Sequence, residues 1–246
     1  SALIQVPLFD RDPQSGDKLD YQQFSQQLEQ LVREKYQRDG IQIHITGFAK
    51  VVGDLIDGAA QVALFFAIAI MVTLVLLYLY SRSVAGTLIP LACSIVAVIW
   101  QLGLLRSLGY GLDPYSMLVP FLVFAIAVSH GVQIVNTTTL EAAQGADSLL
   151  AAQRAFRAIY IPGLTALLSD GIGFVTLMVI QIEVIQDLAV AAALGVAVIV
   201  LTNLILLPLL LSWSGVGATA IARSRQRHQT PGAHWQKLVW FARPGG

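Results

Sequence analysis

The chain has 246 residues, 56 % of them hydrophobic and 12 % charged, where soluble domains carry about 25 % charged residues; this is a composition built for lipid. Formal net charge is zero, so there is no sign of the basic footprint of a nucleic-acid-binding protein. Cys93 is the single cysteine and sits in an apolar run, which leaves no disulfide framework or cysteine metal site within one chain.

Residues 1–58 are polar and mixed, opening at Ser1 without a methionine or a signal-type charged start, and read as the end of a domain that belongs to a longer polypeptide. "ALIQVPLF" at 2–9 is extended and apolar, and "DRDPQSGD" at 10–17 reads as a turn. Asp10, Asp12 and Asp17 resemble a calcium loop only weakly: the glycine is one place late and Tyr21 stands where the closing glutamate belongs. From Asp20 to Arg38 the residues Tyr21, Phe24, Leu28, Leu31, Val32 and Tyr36 recur at helical spacing. "IQIHITGF" alternates Ile41, Ile43 and Ile45 on one face, with His44 on the solvated one, as a half-buried strand does. A small α+β fragment of β-α-β order is expected here.

After Asp57 the chain turns apolar. A bilayer core of roughly 30 Å takes about 20 helical residues, and the stretches 59–80, 84–106, 115–138, 160–181 and 187–212 meet that requirement. The polar link 139–159, with Leu149, Leu150, Ala152, Phe156 and Ile159 beside Arg154 and Arg157, reads as an amphipathic helix on the membrane surface. Residues 213–246 form a basic tail, whose "HWQKLVWFARPGG" reads as a second surface helix or the approach to another span. Arg82, Arg154, Arg157, Arg223, Arg225 and Arg227 gather on one side, whereas the other has Arg106 with Asp113, Glu183 and Asp187. By the positive-inside rule the tail is cytoplasmic and residues 1–58 are extracytoplasmic. Five spans after an outer domain imply an anchor helix upstream and six spans per full repeat.

Polar groups at membrane depth are the candidate functional residues. "FAIAVSHGVQIVN" at 124–136 places Ser129, Gln133 and Asn136 at i, i+4 and i+7 in one stripe, with His130 beside it. At 1.5 Å per residue, His130 is about 12 Å inside from Thr138 and Asp170 about 14 Å inside from Ile161 on the next span, so the two lie at similar depth. An uncompensated charge there costs at least ~2.5–3.5 kcal/mol, and a His130–Asp170 pair that shares or exchanges a proton is the expected answer. The plain alternative is an interhelical hydrogen bond worth about 0.6–1.7 kcal/mol. Thr165, Ser169, Gly173 and Thr176 run down one side of their helix as a small-residue packing face. Pro90, Pro120, Pro162 and Pro208 are expected to start or kink helices, and Gln101 and Asn203 are isolated polar residues without an evident partner. No H-E-x-x-H, G-x-S-x-G or Walker loop is present; no cofactor or metal is expected, nor direct use of ATP.

The chain resembles the resistance–nodulation–division (RND) superfamily of exporters, in the branch of MMPL-type lipid transporters and sterol-sensing-domain proteins. The resemblance rests on "ITGFAKVVGDLIDGA", "FAIAVSHGVQIVN", "RAIYIPGLTALLSDGIGFVTL" and "IQDLAVAAALGVAVIVLTNLILLPLLLS", and covers about residues 41–212. It implies one partial repeat of a proton-driven exporter in a bacterial inner membrane, an all-α transmembrane bundle with a fragment of the outer porter domain. Its implied partners are membrane lipids, a hydrophobic or lipid-like substrate, and a second repeat or further copies of the chain. In the family's G-x-D-Y-like relay motif, the aspartate position holds Ser129 here and the tyrosine position holds His130. Asp170 stands where many relatives have a small neutral residue, which implies that the acid has moved to the neighbouring helix. Coupling to another ion, or through a residue elsewhere, stays open, as does a lipid- or sterol-sensing module without transport.

Overall fold

A computed structural model describes residues 3–9, 11, 16, 18–38, 40–111 and 116–229. The chain divides into two units, 1–65 and 66–246.

In the first unit, helix 21–36 (α1) runs Tyr21–Leu28, a π turn Glu29–Arg33 and a last turn Glu34–Tyr36. Asp20 caps it, its carboxylate accepting from the backbone N–H of Gln22 and Gln23, two donors that a helix start leaves open. The helix lies where its periodicity places it, but Leu31 and Tyr36 are exposed; it docks through an edge contact of the Tyr21 ring with Phe48 and through polar residues. Its partner is the start of helix Phe48–Ser81 (α2), which begins some ten residues before the apolar run.

Gln22 and Gln26 donate to Asp57, and the Ser25 hydroxyl donates to Asp54. Lys50, 7 % exposed, bonds Glu29 at 2.7 Å, Ser25 at 3.1 Å and Asp54. Gly53 permits this approach, since a Cβ there would stand 2.4 Å from the Tyr21 carbonyl.

The expected β-α-β unit is not present. Among the described residues no strand forms; only isolated bridges Arg11–Lys18 and Arg38–Ile41 occur. Residues 3–9 are exposed throughout, and in 41–46 Ile43 and Ile45 are half-buried while Gln42 and His44 face solvent. Ile41 is exposed, so the alternation survives only at Ile43 and Ile45, without the neighbouring strand that would satisfy the N–H and C=O groups of a strand. Asp10, Asp12 and Asp17 lie outside the described residues.

The five expected spans are all helices of membrane-crossing length: α2, then Val84–Ser107 (α3), Ser116–Ala143 (α4), Ser148–Val179 (α5) and Glu183–Ser214 (α6). A further helix, Ala218–Gln229 (α7), follows, and the "HWQKLVWFARPGG" segment lies outside the described residues. The 34 residues of α2 extend about 51 Å at 1.5 Å each, longer than a bilayer core of roughly 30 Å.

The link 139–159 is not a separate surface helix. Residues 139–143 finish α4, Gly145 turns the chain at φ +104°, and Asp147 caps α5 by accepting from Leu150 N–H at 2.8 Å. The helix then continues through Pro162. Its alanines Ala151, Ala152 and Ala155 are buried, whereas Leu149 and Leu150 are exposed and Phe156 and Ile159 half-buried, so the bundle takes the small stripe and the inner end of the large one.

In the second unit the core lies among α3, α4, α5 and α6, around Leu91, Val123, Phe124, Ile134, Leu167, Ile199 and Leu207. Small residues let the helices close up. A Cβ on Gly195 would stand 2.2 Å from a Val123 methyl, and one on Gly131 would stand 2.9 Å from Pro90 Cβ. Pro120 starts α4, and Pro90 and Pro162 sit inside helices. Pro208 follows a π-helical segment, Val200–Leu206, within α6, where the looser turn accommodates a residue that has no N–H to give.

Candidate functional site

On α4, Ser129, Gln133 and Asn136 are all exposed. His130 turns inward and is 8 % exposed. Its Nδ1 lies 3.0 Å from the Ile126 carbonyl; a carbonyl only accepts, so Nδ1 carries the hydrogen in this contact.

On α5, Thr165, Ser169, Asp170, Gly173 and Thr176 are all exposed. Thr165 and Thr176 donate to carbonyls of their own helix, Ile161 at 2.9 Å and Gly173 at 2.6 Å. The structure brings His130 into the bundle and leaves Asp170 on its outer side. Among the described residues no hydrogen bond or ion pair joins the two.

Three further polar residues on the spans make contacts between helices. Gln101 and Asn203 are fully buried, and each reaches another helix: Gln101 Nε2 donates to the Ala191 carbonyl at 3.2 Å, and Asn203 Nδ2 donates to the Ala127 carbonyl. The side-chain oxygens of both have no partner among the described residues. Asn203 and His130 thus hold successive carbonyls of α4, those of Ala127 and Ile126, and Asn203 does so from the π-helical segment of α6. π segments recur at functional sites. The third, Tyr80 on α2, donates its hydroxyl to Asn136 Oδ1 at 3.4 Å.

The sequence singled out Gln101 and Asn203 as polar without naming a partner, because a backbone carbonyl on another helix has no signature of its own. A signal for the π segment was available: a Thr202–Asn203 pair in an apolar run five residues before Pro208.

A comparison with protein families matches the MMPL family over residues 11–245. A search of curated proteins finds none that matches.

Proposed function

The chain belongs to the MMPL family, and from that premise we propose that it is the membrane part of an RND-type secondary exporter, not an enzyme. It works in a bacterial inner membrane, with residues 1–58 outside and the tail in the cytoplasm, and moves hydrophobic or lipid-like substrates on the proton gradient. The observation that carries this reading is an imidazole, His130, buried among membrane-length apolar helices with its Nδ1 on the Ile126 carbonyl of its own helix.

In this mechanism His130 loads a proton inside the bundle and Asp170 exchanges it on the outer side of α5, with Ser129 beside the imidazole in sequence and Gln133, Asn136, Thr165 and Ser169 lining the two helices. A charged carboxylate facing hydrocarbon costs at least ~2.5–3.5 kcal/mol. The outward line on α5 therefore calls for cover from a second repeat or another copy of the chain. Protonation of His130 shifts α4 against α6 through the Asn203 contact and biases the bundle between two arrangements.

The test is substrate-dependent proton flux in proteoliposomes of the full-length protein, read with a pH dye inside the vesicle. His130→Ala and Asp170→Asn are each expected to reduce flux to the leak of protein-free vesicles. A doubly substituted protein that pumps at the normal rate and pH dependence overturns the relay. A lipid-sensing module is the second reading, favoured by Ser129 standing where an acid is expected; saturable lipid binding with no flux in the unsubstituted protein would select it.

A further inference from the structure

A cleft of about 150 Å³ opens between the end of α2, the last turns of α4 and helix α7, with Tyr80, Ser81, Asn136, Thr139, Arg223 and Ser224 among its lining residues. Its hydrogen-bonding capacity is lopsided. Thr139 spends its hydroxyl hydrogen on the Val135 carbonyl, and Ser81 is engaged with Thr87 and Ser83. Tyr80 donates to the oxygen of Asn136, which leaves the Asn136 amide hydrogens free. Arg223 and Ser224 have no partner among the described residues. What remains is a guanidinium, a hydroxyl and an amide NH₂, all able to donate toward one space.

Neighbouring charges do not satisfy Arg223. Glu141, next in the chain to the lining residue Leu140, is paired with Arg154 at 3.3 Å. Arg225 is held by the Ala143 carbonyl at 2.8 Å. Arg82, beside Ser81, adds a second exposed guanidinium and holds a left-handed conformation at φ 52°.

The cleft is also held in shape. Gly217 N–H donates to Ser83 Oγ at 3.0 Å, and that hydroxyl also caps α3 through Gly86 N–H. Gly215, at φ +66°, turns the chain where a Cβ would stand 2.6 Å from Ser148 Oγ. With Arg225 fixed to the end of α4, helix α7 is tied down at two points.

We propose that this cleft binds a phosphate group, through Arg223, Ser224 and the Asn136 amide. A phosphate offers several acceptor oxygens and a charge that matches a guanidinium fork. Basic pockets at the cytoplasmic ends of spans take phospholipid head groups, and Val135 and Leu140 in the lining suit the first carbons of an esterified one. The site shares Asn136 with the lining of the proposed relay but uses neither His130 nor Asp170, so its test reads binding and not flux.

The chain is reconstituted in phosphatidylcholine nanodiscs at physiological salt and titrated with inorganic phosphate and, separately, with dioctanoyl phosphatidylglycerol, binding being read from the thermal shift. Saturable binding is expected, weakened about tenfold or more in Arg223→Gln, as loss of a charged hydrogen bond requires, and less in Ser224→Ala. Arg157→Gln, an exposed arginine away from the cleft, is expected to bind normally. Arg223→Lys, which keeps the charge, is expected to recover part of the affinity, and this separates lost binding from lost folding. Binding of phosphatidylglycerol alone identifies the source as lipid; binding of both identifies the phosphate as sufficient. Absence of saturable binding for both probes, or equal weakening in Arg157→Gln, overturns the proposal.

Discussion

Helices α2 and α5 are both peripheral, only 6 % and 11 % of their most apolar windows being buried, against 56 % for α6. Yet they present opposite chemistry outward. α2 is the most apolar of the five and exposes Leu64, Phe65, Ile68, Met71, Val72 and Leu76. α5 is the least apolar, and exposes Thr165, Ser169, Asp170, Gly173 and Thr176. Lipid rewards the first surface and penalises the second. The two outward faces thus differ in chemistry, although α5 also buries Ala151, Ala152, Ala155 and Leu167 on its other side: the α2 face suits hydrocarbon, and the α5 face is the one that hydrocarbon penalises.

The largest test of this contrast places one new carboxylate on each helix. Val72→Asp on the outward side of α2 is expected to cost about 2.5–3.5 kcal/mol and to sharply reduce the folded yield recovered from membranes. Ala166→Asp, one turn from Asp170 on α5, is expected to cost less than Val72→Asp, because that face is already lined by hydroxyls and a carboxylate that lipid would not tolerate. This holds even against the like-charge repulsion of Asp170 at i+4. Equal losses for the two would break the distinction, since both faces would then meet the same solvent.

Glycines sharpen it on a smaller scale. Gly195 on the buried α6 meets a Val123 methyl, so Gly195→Ala is expected to destabilise by about 1–3 kcal/mol through overpacking. Gly173 on α5 has nothing within 4 Å. In detergent-isolated chain, Gly173→Ala is expected to stabilise by about 0.5–1 kcal/mol. If a partner packs against α5, that gain disappears in the assembled protein, and comparing melting temperatures of the isolated and assembled forms reads the difference directly.

The five spans were legible because a run of about 20 apolar residues has few other uses. Their ends were less so. Lys50, Asp54 and Asp57 argue against a membrane segment, but a helix that projects past the bilayer holds charged residues readily, and α2 starts at Phe48. Pro162 suggested a start, yet α5 runs through it. The Ile41, Ile43 and Ile45 alternation misled because period two describes a half-buried extended chain, with or without a paired neighbour. At the candidate site, the α4 stripe and the inward His130 could be separated by counting residues. The outward position of Asp170 could not, because the direction of one face depends on which neighbours α5 packs against. The contacts of Gln101 and Asn203 with carbonyls of other helices were hidden for the same reason.

The smallest expected effect concerns the first unit, where charge does the docking that apolar packing does in the bundle. Burial lowers the Lys50 pKa, but the hydrogen bonds and charges of Asp54 and Glu29 outweigh it and hold the ammonium above the ordinary lysine value of 10.5. Asp54 is held below the ordinary aspartate value of 3.8, chiefly by its hydrogen bond from Lys50, against the opposing effect of burial. A lowered carboxylate pKa contributes stability that is present above the unfolded value and lost as pH falls through the folded one; a raised ammonium pKa contributes stability that is present below the unfolded value and lost as pH rises through the folded one. Docking of α1 on α2 is therefore expected to hold across neutral pH and to loosen below about 3.8 and above about 10.5, the two ordinary values. Amide hydrogen exchange over residues 21–36, corrected for its intrinsic pH dependence, measures this. Lys50→Met should raise exchange there at neutral pH while leaving the apolar core of α3, α4, α5 and α6 unchanged, because that core contains none of the three charges. Protection in α1 that ignores both pH limits and the Lys50→Met change would mean that the half-buried Tyr21, Phe24 and Leu28 hold the helix in place instead.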